Sequence, residues 1–210
     1  MKIIFLDIDG VLNWRGSDRI HDVDGFIGLD PANVASFNRI IDAHPDAKIV
    51  ISSSWRHCSP FQKAYQDFEG LKKLLADRGV RGEIIDHTPI FFSHRARGDE
   101  IRAWLTKFRE THKDPFEYVV LDDDRQGMAP FVQSRQKHGW ETDEEHAERL
   151  AGPLEEDLRL RHVVTSFEGY PVRTMYGGGY ECEPGGLRDR DADLAIRILG
   201  GTTNEVKEES

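Results

Sequence analysis

The stretch KIIFLDIDGVLN, residues 2–13, decides the fold. Lys2 to Leu6 is a short apolar run without polar alternation, the pattern of a strand buried on both faces of a parallel sheet. It runs into Asp7, Asp9 and Gly10. Two carboxylates two residues apart at a strand end tend to face the same way, and glycine lets the backbone turn tightly beside them. A buried strand that ends in paired carboxylates wants a cation.

Working outward, Asp30 and Pro31 read as the cap and first turn of a helix whose apolar positions are Val34, Phe37, Ile40 and Ile41, ending near His44-Pro45. Lys48 to Ile51 is a second strand that ends in Ser52-Ser53-Ser54-Trp55, and a helix is expected from Phe61 to about Arg78, before Gly79. Glu83 to Ile85 reads as a third strand, Gly98 to Phe108 as a helix, and Tyr118 to Leu121 as a strand running into Asp122-Asp123-Asp124. His162 to Thr165 and Arg190 to Leu199 supply a fifth strand and a last helix. This alternation predicts an α/β fold, a doubly wound parallel sheet with helices on both faces and its site at the carboxyl ends of the strands. One domain is expected over residues 1–201. Two insertions break the rhythm, a charged stretch at about 125–161 with a helical run from Asp143 to Leu160, and a Gly-rich aromatic stretch at about 167–186. Residues 202–210 read as a flexible tail.

In a parallel sheet the strands ending at Asp7 and at Asp122 reach the same edge, so their carboxylates can converge. Packed carboxylates repel unless a proton or metal intervenes, and oxygen ligands of this kind suit Mg²⁺ rather than zinc.

Composition narrows the partners. A formal charge of −10 argues against tracking a long nucleic-acid backbone, though it allows the grip of one terminal phosphate. Asp7 and Asp9 interrupt the opening apolar run far short of the roughly 20 residues of a membrane span, so no signal peptide or anchor is expected. Only Cys58 and Cys182 are present, which excludes a disulfide scaffold or paired zinc knuckles and makes a reducing cytoplasm the expected setting.

Four motifs carry a resemblance. FLDIDGVLN resembles the first motif of the haloacid dehalogenase (HAD) superfamily and VVLDDD its terminal acidic motif. IVISSSW is similar to the second motif, a strand ending in a phosphate-binding hydroxyl, and Arg97 is the candidate third-motif cation, with Arg95 competing. Within the superfamily, DIDGVLN, ISSSWR, RGDEIRAWL and LDDD most resemble the phosphatase-like domain of Swiss Army Knife RNA repair proteins, and GGLRDRDADLAIRIL resembles that group's closing helix. The resemblance covers roughly residues 1–124 and 162–200, with the two insertions departing from it.

The resemblance implies a Mg²⁺-dependent phosphatase in which Asp7 attacks phosphorus and Asp9 protonates the leaving oxygen and then activates water. It implies Mg²⁺ held by Asp7, the main-chain carbonyl of Asp9 and Asp123, with Asp122 beside it, and phosphate oxygens held by Ser52 or Ser53 and by Arg97. Short connections at residues 14–30 and 84–97 leave no room for a large cap, so an open mouth and a substrate such as a nucleotide or an RNA or DNA end are expected. Three alternatives stand: a small-molecule or (deoxy)nucleotide phosphatase, transfer to another acceptor such as a sugar hydroxyl, and a catalytically silent phosphate-binding module.

Other motifs read differently. Cys182 to Arg188 has the Cys-x5-Arg spacing of thiol phosphatases, but Glu183 would put a negative charge in the cradle, so a Gly185-Gly186 turn before the last helix is expected. The glycines 177–179 lack a following Gly-Lys-Ser/Thr and predict no nucleotide cradle. Trp55 and Arg56 suit either a base stack with a phosphate contact or packing under the rim. Phe167, Tyr170, Tyr176 and Tyr180 with Arg173 suit either a single strand or loop packing.

Overall fold

Ile3, Ile4, Phe5 and Leu6 have no exposed surface, because the strand they form, β1 (Lys2–Leu6), is paired on both edges and covered on both faces. The computed structural model describes residues 1–19, 28–57, 65–91, 97–124, 158–173 and 180–201, together with Met128 and Thr142. On one side β1 pairs in parallel with β2 (Lys48–Ile51), Leu6 lying opposite Ile51. On the other it pairs in parallel with β4 (Glu117–Asp122), Leu6 lying opposite Leu121. Outside these lie β3 (Glu83–His87) and β5 (His162–Val164), also parallel, giving the order β3-β2-β1-β4-β5.

Strand alternation divides the core into two layers. Ile4 and Leu6 face Phe37, Ile40 and Ile41 of α1 (Pro31–Ala43), Leu71 and Leu75 of α2 (Phe68–Asp77), and Ala195 and Ile198 of α4 (Asp189–Leu199). Ile3 and Phe5 face Ile101, Trp104, Leu105 and Phe108 of α3 (Arg97–Thr111). The Phe5 ring meets Trp104 and Tyr118 edge-on at 5.3 and 5.9 Å, an arrangement that aromatic quadrupoles favour.

Local signals account for most boundaries. Asp30 caps α1 by accepting the Ala32 amide at 2.8 Å, with Pro31 in the first turn. The second helix departs from expectation. It begins at Phe68 rather than Phe61, because Asp67 accepts the Gly70 amide at 2.7 Å and Tyr65 is drawn off to bond the Trp55 carbonyl at 2.8 Å. Residues 58–64 lie outside the described residues, Cys58 among them.

Of the run expected to be helical from Asp143 to Leu160, residues 143–157 lie outside the described residues, and Leu158–Arg161 forms a 3-10 turn. The Gly-rich stretch forms a two-stranded antiparallel ribbon, β6 (Tyr170–Arg173) with β7 (Tyr180–Glu183). Residues 174–179 and 202–210 lie outside the described residues.

The chain steps outward from β1 to β2 and β3, then returns to place β4 on the other side of β1. That reversal opens a crevice at the carboxyl ends of β1 and β4, the usual ligand position in an open α/β sheet. Phe5→Ala should lower unfolding free energy by about 3–5 kcal/mol in urea titration, since it empties a site between two packed rings. Ile85→Thr, on an edge strand with a side chain over a third exposed, should change it by less than about 1 kcal/mol.

Candidate active site

Asp7 continues the line of β1, its amide bonding the Leu121 carbonyl at 3.0 Å. Its side chain is buried. One oxygen accepts the Ile8 amide at 2.7 Å, the nearby Ser53 hydroxyl favours the charged form, and Arg97 Nη2 stands 3.8 Å from the other oxygen. Past Asp7 the chain coils, with the amides of Val11, Leu12 and Asn13 all directed to the Ile8 carbonyl.

Gly10 sits in this coil at φ +78°, and a Cβ there would lie 2.5 Å from Cγ of Asp123. Both conformation and space therefore require glycine. Thr165 fixes the coil from β5 by donating its hydroxyl to the Gly10 carbonyl at 2.5 Å.

Asp9 lies just past the end of β1. Its Oδ1 accepts Nδ2 of Asn13 at 2.9 Å and its Oδ2 accepts Nε1 of Trp55 at 2.9 Å. Since β1 ends at Leu6, these two contacts rather than strand alternation hold Asp9 in place.

At the end of β4, Asp122 is almost fully buried. Its Oδ1 accepts the Asp124 amide at 2.8 Å, while Oδ2 has no hydrogen-bond donor among the described residues and lies 3.4 Å from Arg97 Nε. Carboxylate oxygens of Asp7, Asp122 and Asp123 lie within 4.8 Å of one another.

The serine run at the end of β2 is divided by the turn it enters. Ser53, near Asp7, accepts the Trp55 amide at 3.4 Å and heads the 3-10 turn Ser54–Arg56. Ser52 is equally buried, but its hydroxyl has no hydrogen-bond partner among the described residues.

Arg56 is buried as well. It donates to the carbonyls of Ser53, Thr88 and Pro89 and pairs with Glu100 at 2.5 Å. The phosphate contact considered for Arg56 is therefore replaced by a clamp that ties the ends of β2 and β3 to the start of α3. Arg97 opens α3, and Arg95 lies outside the described residues.

Electrostatics follow from this crowding. Burial pushes the Asp7 carboxyl up to about 6, against the opposing pull of Arg97, Ser53 and the Ile8 amide. Burial and then the Asp7 charge push Asp122 well above the usual carboxylate range, and burial raises Asp123. Burial works against the Arg97 charge, but Asp7, Asp122 and Glu100 more than offset it and hold the guanidinium above its ordinary value.

One arginine faces Asp7, Asp122 and Glu100 together, and Asp122 Oδ2 is a buried acceptor with an ion pair to Arg97 but no hydrogen-bond donor among the described residues. The donor set is all oxygen and fits a small hard divalent cation such as Mg²⁺.

The rim is built partly by the Gly-rich segment. The Phe167 backbone lies near enough to Asp123 to favour its charge, and the Phe167 carbonyl accepts the Arg15 amide at 2.7 Å. Cys182 falls within β7, paired with Pro171, while Arg188 pairs with Glu183 at 2.8 Å and lies 3.7 Å over the Tyr170 ring. These contacts, with the Gly186 amide bonded to the Ser166 carbonyl, make the segment a turn into α4 rather than a thiol-phosphatase loop.

The Trp55 and Asn13 contacts to Asp9 were missed from sequence. Of the two readings open for Trp55, packing under the rim is the one observed, at 8% exposure.

No curated protein and no solved structure matches the chain. The family model described as the HAD domain in Swiss Army Knife RNA repair proteins matches residues 3–147. The match takes in β1 to β4 and runs on into the segment set aside as an insertion, and it stops short of β5 and α4, where the resemblance had been extended. Covering well over half of the chain, it shows that this protein belongs to the family of HAD domains in Swiss Army Knife RNA repair proteins, with the five-stranded parallel sheet of a HAD-type hydrolase.

Proposed function

We propose that the chain is a Mg²⁺-dependent phosphatase that hydrolyses a phosphate monoester through an aspartyl-phosphate. The observation that carries this reading is the grouping of Asp7, Asp122 and Asp123 within 4.8 Å, with Arg97 beside Asp7. Asp7 attacks phosphorus as the bond to the leaving oxygen breaks, and Asp9 gives that oxygen its proton. Asp9, now deprotonated, takes a proton from water as the water oxygen attacks phosphorus, which releases inorganic phosphate and restores the Asp7 carboxylate.

Arg97 and Ser53 hold phosphoryl oxygens in this reading, Ser53 being favoured over Ser52 because its hydroxyl is near enough to Asp7 to favour the carboxylate's charge. Asp7, Asp123 and the Asp9 main-chain carbonyl would hold Mg²⁺, with Asp122 beside them. The ion's chemistry is to offset negative charge on the phosphoryl group.

A nucleotide or a nucleic-acid end is the leading substrate class. The family's name refers to RNA repair, and the charge of −10 suits contact with one terminal phosphate better than a long backbone. The approach of Phe167 to Asp123 favours a second reading, a small-molecule or mononucleotide phosphatase, because it narrows the rim. A single unit over residues 1–201 in a reducing cytoplasm accompanies either reading. No helix among the described residues is long and apolar enough to cross a membrane.

Phosphate release should be measured with and without Mg²⁺, for wild type and Asp7→Asn, on mononucleotides, 3′- and 5′-phosphorylated oligonucleotides, sugar phosphates and a phosphopeptide. Release that requires Mg²⁺ and is lost in Asp7→Asn is expected, with an acid-stable phospho-enzyme trapped only in wild type. Undiminished release by folded Asp7→Asn would refute the mechanism.

A second expectation concerns pH. Because the folded-state pKa of Asp7 is raised from 3.8 to about 6, the metal-free protein binds a proton that the unfolded chain releases between those values. Metal-free stability should therefore fall as pH rises from about 4 to 6. Mg²⁺ must displace that proton, so the rise in Tm that it produces should be several degrees at pH 7.5 and much smaller at pH 5. Equal increments at both pH values would contradict the assignment.

A further inference from the structure

We propose that Trp55 is a positioning residue for acid–base catalysis, holding the Asp9 carboxylate through its indole N–H. The inference rests on the reading of Asp9 as the proton donor and adds to it what sets the direction of the proton. Nε1 of Trp55 lies 2.9 Å from Oδ2 of Asp9 and Nδ2 of Asn13 lies 2.9 Å from Oδ1, so each carboxylate oxygen is taken once, by donors from different elements. The Asn13 amide is itself oriented, since its Oδ1 accepts the Gly10 amide at 3.1 Å.

An indole N–H and an amide NH₂ donate and do not accept. A proton on Asp9 must therefore occupy a lone pair that neither group covers. The two contacts thus choose which lone pairs remain for the leaving oxygen and for water.

Trp55 is well built for this task. Its ring is 8% exposed and stacks on Tyr65 at 6.1 Å, the Tyr65 hydroxyl donates to the Trp55 carbonyl at 2.8 Å, and the Trp55 amide bonds the Ser53 hydroxyl. Arg56 then pins the same turn to the ends of β2 and β3 and to Glu100. Because Ser53 also lies near Asp7, one short turn reaches both the attacking carboxylate and the acid. Holding such groups within a fraction of an ångström of productive geometry requires packed support of this kind.

The test is a leaving-group comparison with substituted phenyl phosphates from p-nitro to p-methoxy, reading kcat/KM, which reports steps up to departure of the phenol. A good leaving group departs without protonation and a poor one does not, so the contribution of a placed acid appears as a difference between the two.

Trp55→Phe keeps most of the ring and removes the donor. It should lower kcat/KM by ~10-fold or more on the p-methoxy ester and by less than ~3-fold on the p-nitro ester. If that variant unfolds, site-specific replacement of Trp55 by benzothienylalanine, which keeps the shape and puts sulfur where the N–H was, should give the same split.

Equal losses on both esters would mean that Trp55 only packs, and no loss on either would mean that its N–H is idle. Either result overturns the inference. Asp9→Asn is the control, since it should show a larger split than Trp55→Phe. If Asp9→Asn shows none, the acid assignment itself falls, and the inference with it.

Discussion

Like charges crowded at the ends of β1 and β4 are the constraint on which the rest of this structure depends. Parallel pairing puts Asp7 and Asp122 at one edge of the sheet, and burial removes the water that would otherwise screen them. Isolated, such an arrangement would be strongly unfavourable. Arg97 at the start of α3, protons on the raised carboxyls, and the space among Asp7, Asp122 and Asp123 are three responses to one electrostatic problem. A divalent cation in that space would supply two charges where Arg97 supplies one.

The support for the site is layered in the same way. Arg56 is buried and is held by three carbonyls and Glu100. Breaking such a pair from one side strands a charge in low dielectric, which typically costs about 3–5 kcal/mol. The end of β2 is thus held by a side chain where main-chain pairing has run out, and the turn carrying Ser53 and Trp55 inherits that rigidity.

Elements whose signals are local were legible in the sequence. The apolar runs that became β1, β2 and β4 needed no knowledge of partners, and Asp30 with Pro31 marked α1 by its own capping chemistry. Parallel order followed from the alternation of strands and helices, and the meeting of Asp7 with Asp122 and Asp123 followed from parallel order.

What escaped depends on contacts distant in the chain. The start of α2 was misjudged because Tyr65 serves Trp55 instead of a helix turn, and helical spacing carries no trace of that. The two donors that hold Asp9 escaped because one of them, Trp55, comes from the end of another strand. The roles of Trp55 and Arg56 are set by Asp9 and Glu100, both more than forty residues away, so periodicity could not separate a rim packer or a clamp from a ligand contact.

Asn33 of α1 donates to the carbonyls of Gly185 and Leu187, and Thr165 donates to the carbonyl of Gly10. Thr165, Gly185 and Leu187 are thereby tied to α1 and to the coil after β1, while Ala192, Ala195 and Ile198 of α4 join the apolar layer over β4 and β5. The stretch shared with the family, residues 3–147, accordingly leaves out side chains that pack on its own core. A fragment of this chain cut at residue 147 would bare an apolar layer and lose the Thr165 contact to the coil around Gly10, so an expression boundary for it belongs beyond Leu199, not at the limit of recognisable likeness.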